Sequence, residues 1–81
     1  MYEEIKEQIV VVAIFKNGRA IPHSFDWQNR RYKVDQVNLE HQEKRGNDLI
    51  FCFSVSAGGN SYELSFNSQN LVWTLEKLWT E

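Results

Sequence analysis

The chain has 81 residues, of which 42% are hydrophobic and 25% charged, and its net charge is −2. These values describe one small globular domain, residues 1–81, and exclude a disordered chain, which would need fewer aromatics and a larger net charge. The single cysteine excludes an internal disulfide and a cysteine-rich metal centre, and it fits a reducing, cytoplasmic setting.

A domain this short buries only about 60–65% of the surface that its unfolded chain exposes, so its core is thin. Three Trp, three Tyr and five Phe let that core use large side chains instead of covalent staples. Charge is unevenly spread. Residues 16–33 hold Lys16, Arg19, Arg30, Arg31 and Lys33 against Asp26, a local balance of +4 that leaves −6 on the remainder. The whole chain therefore lacks the charge of a nucleic-acid binder, while one segment can present a basic face.

In chain order, YEEIKEQ is acidic, unlike the basic start of a secretory signal, and suits one or two helical turns that need a docking surface. QIVVVAIFK (8–16) is rich in β-branched residues and predicts a strand buried on both faces or nearly so. Its apolar run of seven is far short of the roughly 20 residues a membrane helix needs, so no membrane segment is expected. Asn17-Gly18 is a strong hairpin signal, since both residues tolerate positive φ.

RAIPHSF predicts a return strand, placed by Pro22 at an edge or a bulge. FDW and RRYKV flank a weaker turn signal at QN or NR. The strand after it is expected to run on through DQVNLEHQE, with a bulge or bend near Asp35-Gln36 where the apolar parity switches. DLIFCFSVSA alternates most cleanly, with Leu49, Phe51, Phe53 and Val55 on one face. GGN (58–60) predicts a hairpin into SYELSF. LVWTLEKLW reads either as a helix with a Leu71, Val72, Leu75, Leu78, Trp79 stripe or as a strand with Leu71, Trp73, Leu75 and Trp79 on one face. Its aromatic and β-branched content tilts it to a strand. The sum is a mainly β fold: a small antiparallel β-barrel or strongly bent sheet of five to seven strands, an SH3-like meander with an optional short N-terminal helix.

Catalytic patterns are absent. Cys52 sits between two phenylalanines in a buried-type strand and reads as an inert packed thiol. His23 and His41 lack metal-ligand spacing, the glutamates read as solvated charges, and GGN lacks a P-loop lysine. No enzyme class, cofactor or metal is expected. The remaining signal is FDWQNRRYKV (25–34), where Trp27, Arg30, Arg31, Tyr32 and Lys33, joined by Arg19, are the residue types that grip single-stranded nucleic acid by stacking and phosphate contact. The competing reading turns Phe25, Trp27, Tyr32 and Val34 inward as core and leaves the cations to water or to an acidic protein.

IPHSFDWQNRRYKVDQV, followed by a polar insert and FCFSVSAGGNSYELSFNSQNLVWTLEKLW, resembles a small bacterial domain family of unknown function. That family's outline is Pro-x-x-Phe-x-Trp-x-Gly-Arg-Arg-Tyr-x-Val, a hairpin with a Tyr-Glu-Leu-like triplet, and a final Trp-x-Leu…Trp strand. Pro22, Phe25, Trp27, Arg30, Arg31, Tyr32 and Val34 fit without a gap, and Tyr62, Leu64, Trp73, Leu75 and Trp79 follow in order. Asn29 stands where the family has Gly, and Asn also tolerates positive φ. The resemblance implies a strand at the tail. Related domains occur alone or appended to Y-family DNA polymerase-like lesion-bypass proteins, so it also implies an accessory module touching DNA or a polymerase-type partner. The expectation is thus a non-catalytic binding module with Arg19, Trp27, Arg30, Arg31, Tyr32 and Lys33 as its contact residues. Its partner is a protein or single-stranded nucleic acid. The rival expectation is a homodimer assembled through sheet edges.

Overall fold

A computed structural model describes residues 1–80, and every regular element in it is a strand. The strands are β1 (Tyr2–Lys16), β2 (Arg19–Trp27), β3 (Arg30–Lys33), β4 (Gln36–Arg45), β5 (Asp48–Ala57), β6 (Asn60–Asn67) and β7 (Val72–Trp79). They form one antiparallel sheet in the order β3-β2-β1-β7-β6-β5-β4. Two meanders, β1–β2–β3 and β4–β5–β6–β7, are joined by pairing the first strand with the last.

This order dictates curvature. The outermost strands, β3 and β4, are separated by only Val34 and Asp35, so Lys33 and Gln36 lie at most about 11 Å apart. A flat seven-stranded sheet would separate them by about 29 Å. The sheet therefore curls until its edges meet at that corner, where Val34 N–H donates to the His23 carbonyl (2.9 Å) and Asp35 N–H to the Ser56 carbonyl (2.7 Å). At the other end the edges are tied by side chains, through an ion pair of Arg19 on β2 with Glu40 on β4. The bent sheet expected from the sequence is what forms.

Curvature also explains β1. Fifteen extended residues would span about 46 Å, more than the 34 Å longest dimension of the molecule, so β1 must bend. Its first half pairs with β7 and its second with β2. At the bend Lys6 has φ 54°, with Ile5 and Lys6 set against Glu76 alone. The expected N-terminal helix is thus corrected to a strand: an acidic segment that cannot hold a helix by itself is captured by the free edge of β7.

The turns follow their residues. Asn17-Gly18 (φ 54° and 75°) and Gly58-Gly59 (57° and 87°) have the two positive φ values of tight hairpins. Gln28-Asn29 (52° and 62°) does the same without glycine, which costs backbone energy at Gln28. After β6, the Asn67 side-chain oxygen accepts from the backbone N–H groups of Gln69 (2.8 Å) and Asn70 (3.3 Å).

The core lies on the concave face: Phe25, Phe53, Val55, Tyr62, Leu64, Phe66, Trp73 and Leu75, with Trp27, Tyr32 and Val34 packed against it. Three expectations change here. The 8–16 strand is buried on one face only, since Val10 (66%), Val12 (46%) and Ile14 (50%) are exposed on the convex side. The strand after Tyr32 stops at Lys33 and restarts at Gln36, because the chain must cross between sheet edges, and the bulge falls between Val37 and Leu39. Trp79 leaves the face of Trp73 and Leu75, because β7 gains an extra residue at Glu76 between its pairings with Glu63 and Leu64. The Trp79 ring lies 4.7 Å from Tyr2, beyond the core cluster.

Candidate functional site

The hairpin β2–β3 stands at one end of the half-barrel, and its aromatics point inward. Phe25 stacks on Tyr32 (5.2 Å between centroids, 13° between planes), the pair that faces across the two strands. Tyr62 of β6 meets Phe25, Trp27 and Tyr32 at 5.1, 6.3 and 5.6 Å. Trp27 and Tyr32 are nonetheless only half-buried, so their outer edges form the floor of an open trough of about 810 Å³.

The trough is lined on the β1 side by the acids Glu3, Glu4 and Glu7 and on the β3 side by the cations Arg30, Arg31 and Lys33. Asp35 and the β5–β6 turn close the end. The Trp27 indole N–H donates to Glu7 Oε2 (3.2 Å), fixing the indole against the acidic lining. Arg30 lies over the Tyr32 ring, 5.5 Å from its centre. Arg31 is committed elsewhere: Nε and Nη2 donate to the two oxygens of Asp26 at 2.8 and 3.2 Å. That hydrogen bond is the main cause holding the Asp26 carboxyl below its ordinary range and raising Arg31 above its own.

Of the six expected contact residues, Trp27, Arg30, Arg31, Tyr32 and Lys33 therefore gather at the trough. Arg19 does not. It lies eight residues along β2, at most about 26 Å from Trp27, and spends its charge on Glu40 across the seam. The acidic residues were missed in the sequence, because YEEIKEQ reads as helical turns, whereas it continues β1 beyond its pairing with β2 and along β7.

A second cluster lies on the convex face. His41 pairs directly with Cys52, Cys52 with Ser65, and Ser65 with Thr74, forming one polar row across four strands. Beside it Glu43 takes Arg45 Nη2 (2.6 Å) and Nε (3.0 Å), while Arg45 Nη1 reaches Glu76 Oε2 (3.3 Å). The Arg45 hydrogen bond is the main reason that the Glu43 carboxyl lies below its usual range. Burial alone would raise Glu76, but Ser65, Arg45 and Lys6 together lower it. Burial, and then the Glu43 charge, push the Cys52 thiol up to about 11. Metal-free protein under native conditions should therefore react with thiol-specific disulfide reagents far more slowly than after denaturation. Equal rates, read as released chromophore over time, would contradict the packing of Cys52.

Comparison with known proteins returns no matching family model, no similar curated protein and no similar solved structure. No helix among the described residues is long and apolar enough to cross a membrane.

Proposed function

We propose that the chain is a non-catalytic binding module that grips a segment of polypeptide in the trough at its hairpin end. The observation that carries this reading is a trough lined by acidic residues of β1, Glu3, Glu4 and Glu7, and by basic residues of β3, Arg30 and Lys33, together with the half-buried Trp27 and Tyr32. Aromatic edges between charges of both signs suit a peptide with an apolar anchor flanked by mixed charges. A phosphate backbone suits it poorly. A strand lying there would meet four carboxylates, counting Asp35, against three cations, of which Arg31 is already neutralised by Asp26. The volume falls within the range of ordinary ligand clefts. The resemblance to domains appended to lesion-bypass polymerases supports a polymerase-type protein as the class of partner.

The test is a peptide-display selection against the folded chain, followed by binding of the enriched synthetic peptides. Enriched sequences should pair an apolar side chain with charges of both signs. Their affinity should fall about tenfold or more in Glu7→Lys and Arg30→Glu and stay unchanged in Arg19→Ala. Enriched peptides indifferent to Glu7→Lys and Arg30→Glu would overturn the reading. So would saturable, salt-sensitive binding of single-stranded oligothymidylate at the same residues.

A second reading, self-assembly, is favoured by the convex stripe Val10, Val12 and Ile14. It would use that face and not the sheet edges, which are guarded: β3 has four residues, the free part of β2 carries Pro22, and β4 exposes Glu40, His41, Gln42, Lys44 and Arg45. Light scattering of a concentrated sample separates the two, since a strict monomer removes this second reading.

A further inference from the structure

The convex row assembles a donor set that the sequence spacing conceals. We propose that His41, Glu43 and Cys52 form a three-ligand site for a divalent transition-metal ion of borderline softness, such as zinc(II) or cobalt(II).

The sheet register builds the site. His41 and Glu43 are alternate residues of β4 and so share a face, and Cys52 of β5 is directly opposite His41 on that face. Cys52 Sγ lies 3.6 Å from Glu43 Oε1, His41 Nε2 lies 3.9 Å from Glu43 Oε2, and one donor atom from each residue falls within 4.8 Å of the other two. A tetrahedral ion with Zn–S near 2.3 Å and Zn–N or Zn–O near 2.0 Å sets its ligand atoms about 3.3–3.6 Å apart, so closure asks the widest pair to approach by at most about 1.5 Å. One sulfur, one imidazole nitrogen and one carboxylate oxygen select a transition ion over magnesium or calcium, which prefer all-oxygen shells.

The surroundings suit such an ion. Arg45 holds Glu43 through Oε1 and leaves Oε2, the oxygen facing His41, free to coordinate. The guanidinium is itself anchored on buried Glu76, so it orients the carboxylate as an outer partner does in metal sites. Binding displaces the thiol proton to solvent. Thiolate and carboxylate then balance the two charges of the ion, and the Arg45–Glu76 pair is left intact. Cys52 is buried and its cross-strand neighbour His41, on the edge strand, is exposed, so the fourth position lies on the solvent side. That leaves it open to a water molecule or an outside ligand.

The test is an anaerobic titration of the full chain with cobalt(II) chloride, using a phosphine reductant in place of competing thiols. A thiolate-to-cobalt charge-transfer band with tetrahedral visible bands should appear, saturate at one ion per chain and bleach with zinc(II). His41→Ala, at an exposed edge position, should weaken cobalt binding about tenfold or more while circular dichroism stays native. Cys52→Ser should abolish the charge-transfer band; should that variant fail to fold, His41→Ala decides. Three outcomes would overturn the proposal: no thiolate band with the native fold intact, an affinity unchanged in both His41→Ala and Glu43→Gln, or saturation at half an ion per chain, which marks a thiolate bridge between two molecules.

Discussion

Tyr62→Ala should lower the unfolding free energy by about 3–5 kcal/mol, the range for removing a buried aromatic from a core. Tyr62 is 2% exposed and is where the two meanders meet: its ring touches Phe25, Trp27 and Tyr32 of the β2–β3 hairpin from its own place on β6. Outside this contact the hairpin is held by β1 and by the short crossing at Val34 and Asp35. Small domains have only about 5–15 kcal/mol in total, so the variant should sit near the edge of folding. Urea denaturation followed by tryptophan fluorescence reads the loss as a lower midpoint. Tyr62→Phe, which keeps the ring, should remain within about 1.5 kcal/mol of the parent. A cost below about 1 kcal/mol for Tyr62→Ala would mean that the hairpin is not packed on β6.

The second large effect is expected at Glu76. This carboxylate is buried where β7 bulges, and it accepts from Ser65 Oγ at 2.6 Å while meeting Arg45 at 3.3 Å and Lys6 at 3.5 Å. Glu76→Ala strands the buried Ser65 hydroxyl and removes the anchor of Arg45, at a cost of about 1–3 kcal/mol. Because the folded carboxyl is held below its usual value of 4.5, its contribution is fully present above that value. It is lost as pH falls through the lower folded value. The stability gap between the parent and Glu76→Gln should therefore narrow on acidification below pH 4.5. A gap that widens in acid would show that the carboxylate is not stabilised by these partners.

These two residues also mark what could be read from the sequence. Tyr62 lies in a plain alternation, Tyr62-Leu64-Phe66, and its inward face follows from period two. The Asn17-Gly18 and Gly58-Gly59 turns were equally legible, since their chemistry is local. Glu76 was not. A charged residue in an apolar tail looks solvated until two bulges, at Lys6 and at Glu76 itself, set it between three partners from β1, β4 and β6. The same bulge turns Trp79 away from the core.

The site divides in the same way. The inward turn of Phe25 and Tyr32 was one of two readings that the hairpin allowed, and Tyr62 settles it. The acidic lining depends on β1 running on past its hairpin with β2 as a strand along β7, where the local pattern suggested helical turns. His41 and Cys52 are eleven positions apart and become neighbours through the hairpin closed by Arg45 and Asp48, whose register runs unbroken as far as Leu39 and Ser54.

The most direct test of the trough is a heteronuclear NMR titration of the labelled chain with a display-selected peptide, followed through the Trp27 indole N–H that now donates to Glu7. Saturating shifts are expected at that indole and at the amides of Glu7, Arg30 and Tyr32, with the Arg19–Glu40 seam unmoved. Saturating shifts confined to the seam or to Val10, Val12 and Ile14, with the Trp27 indole still, would contradict the trough as the binding site.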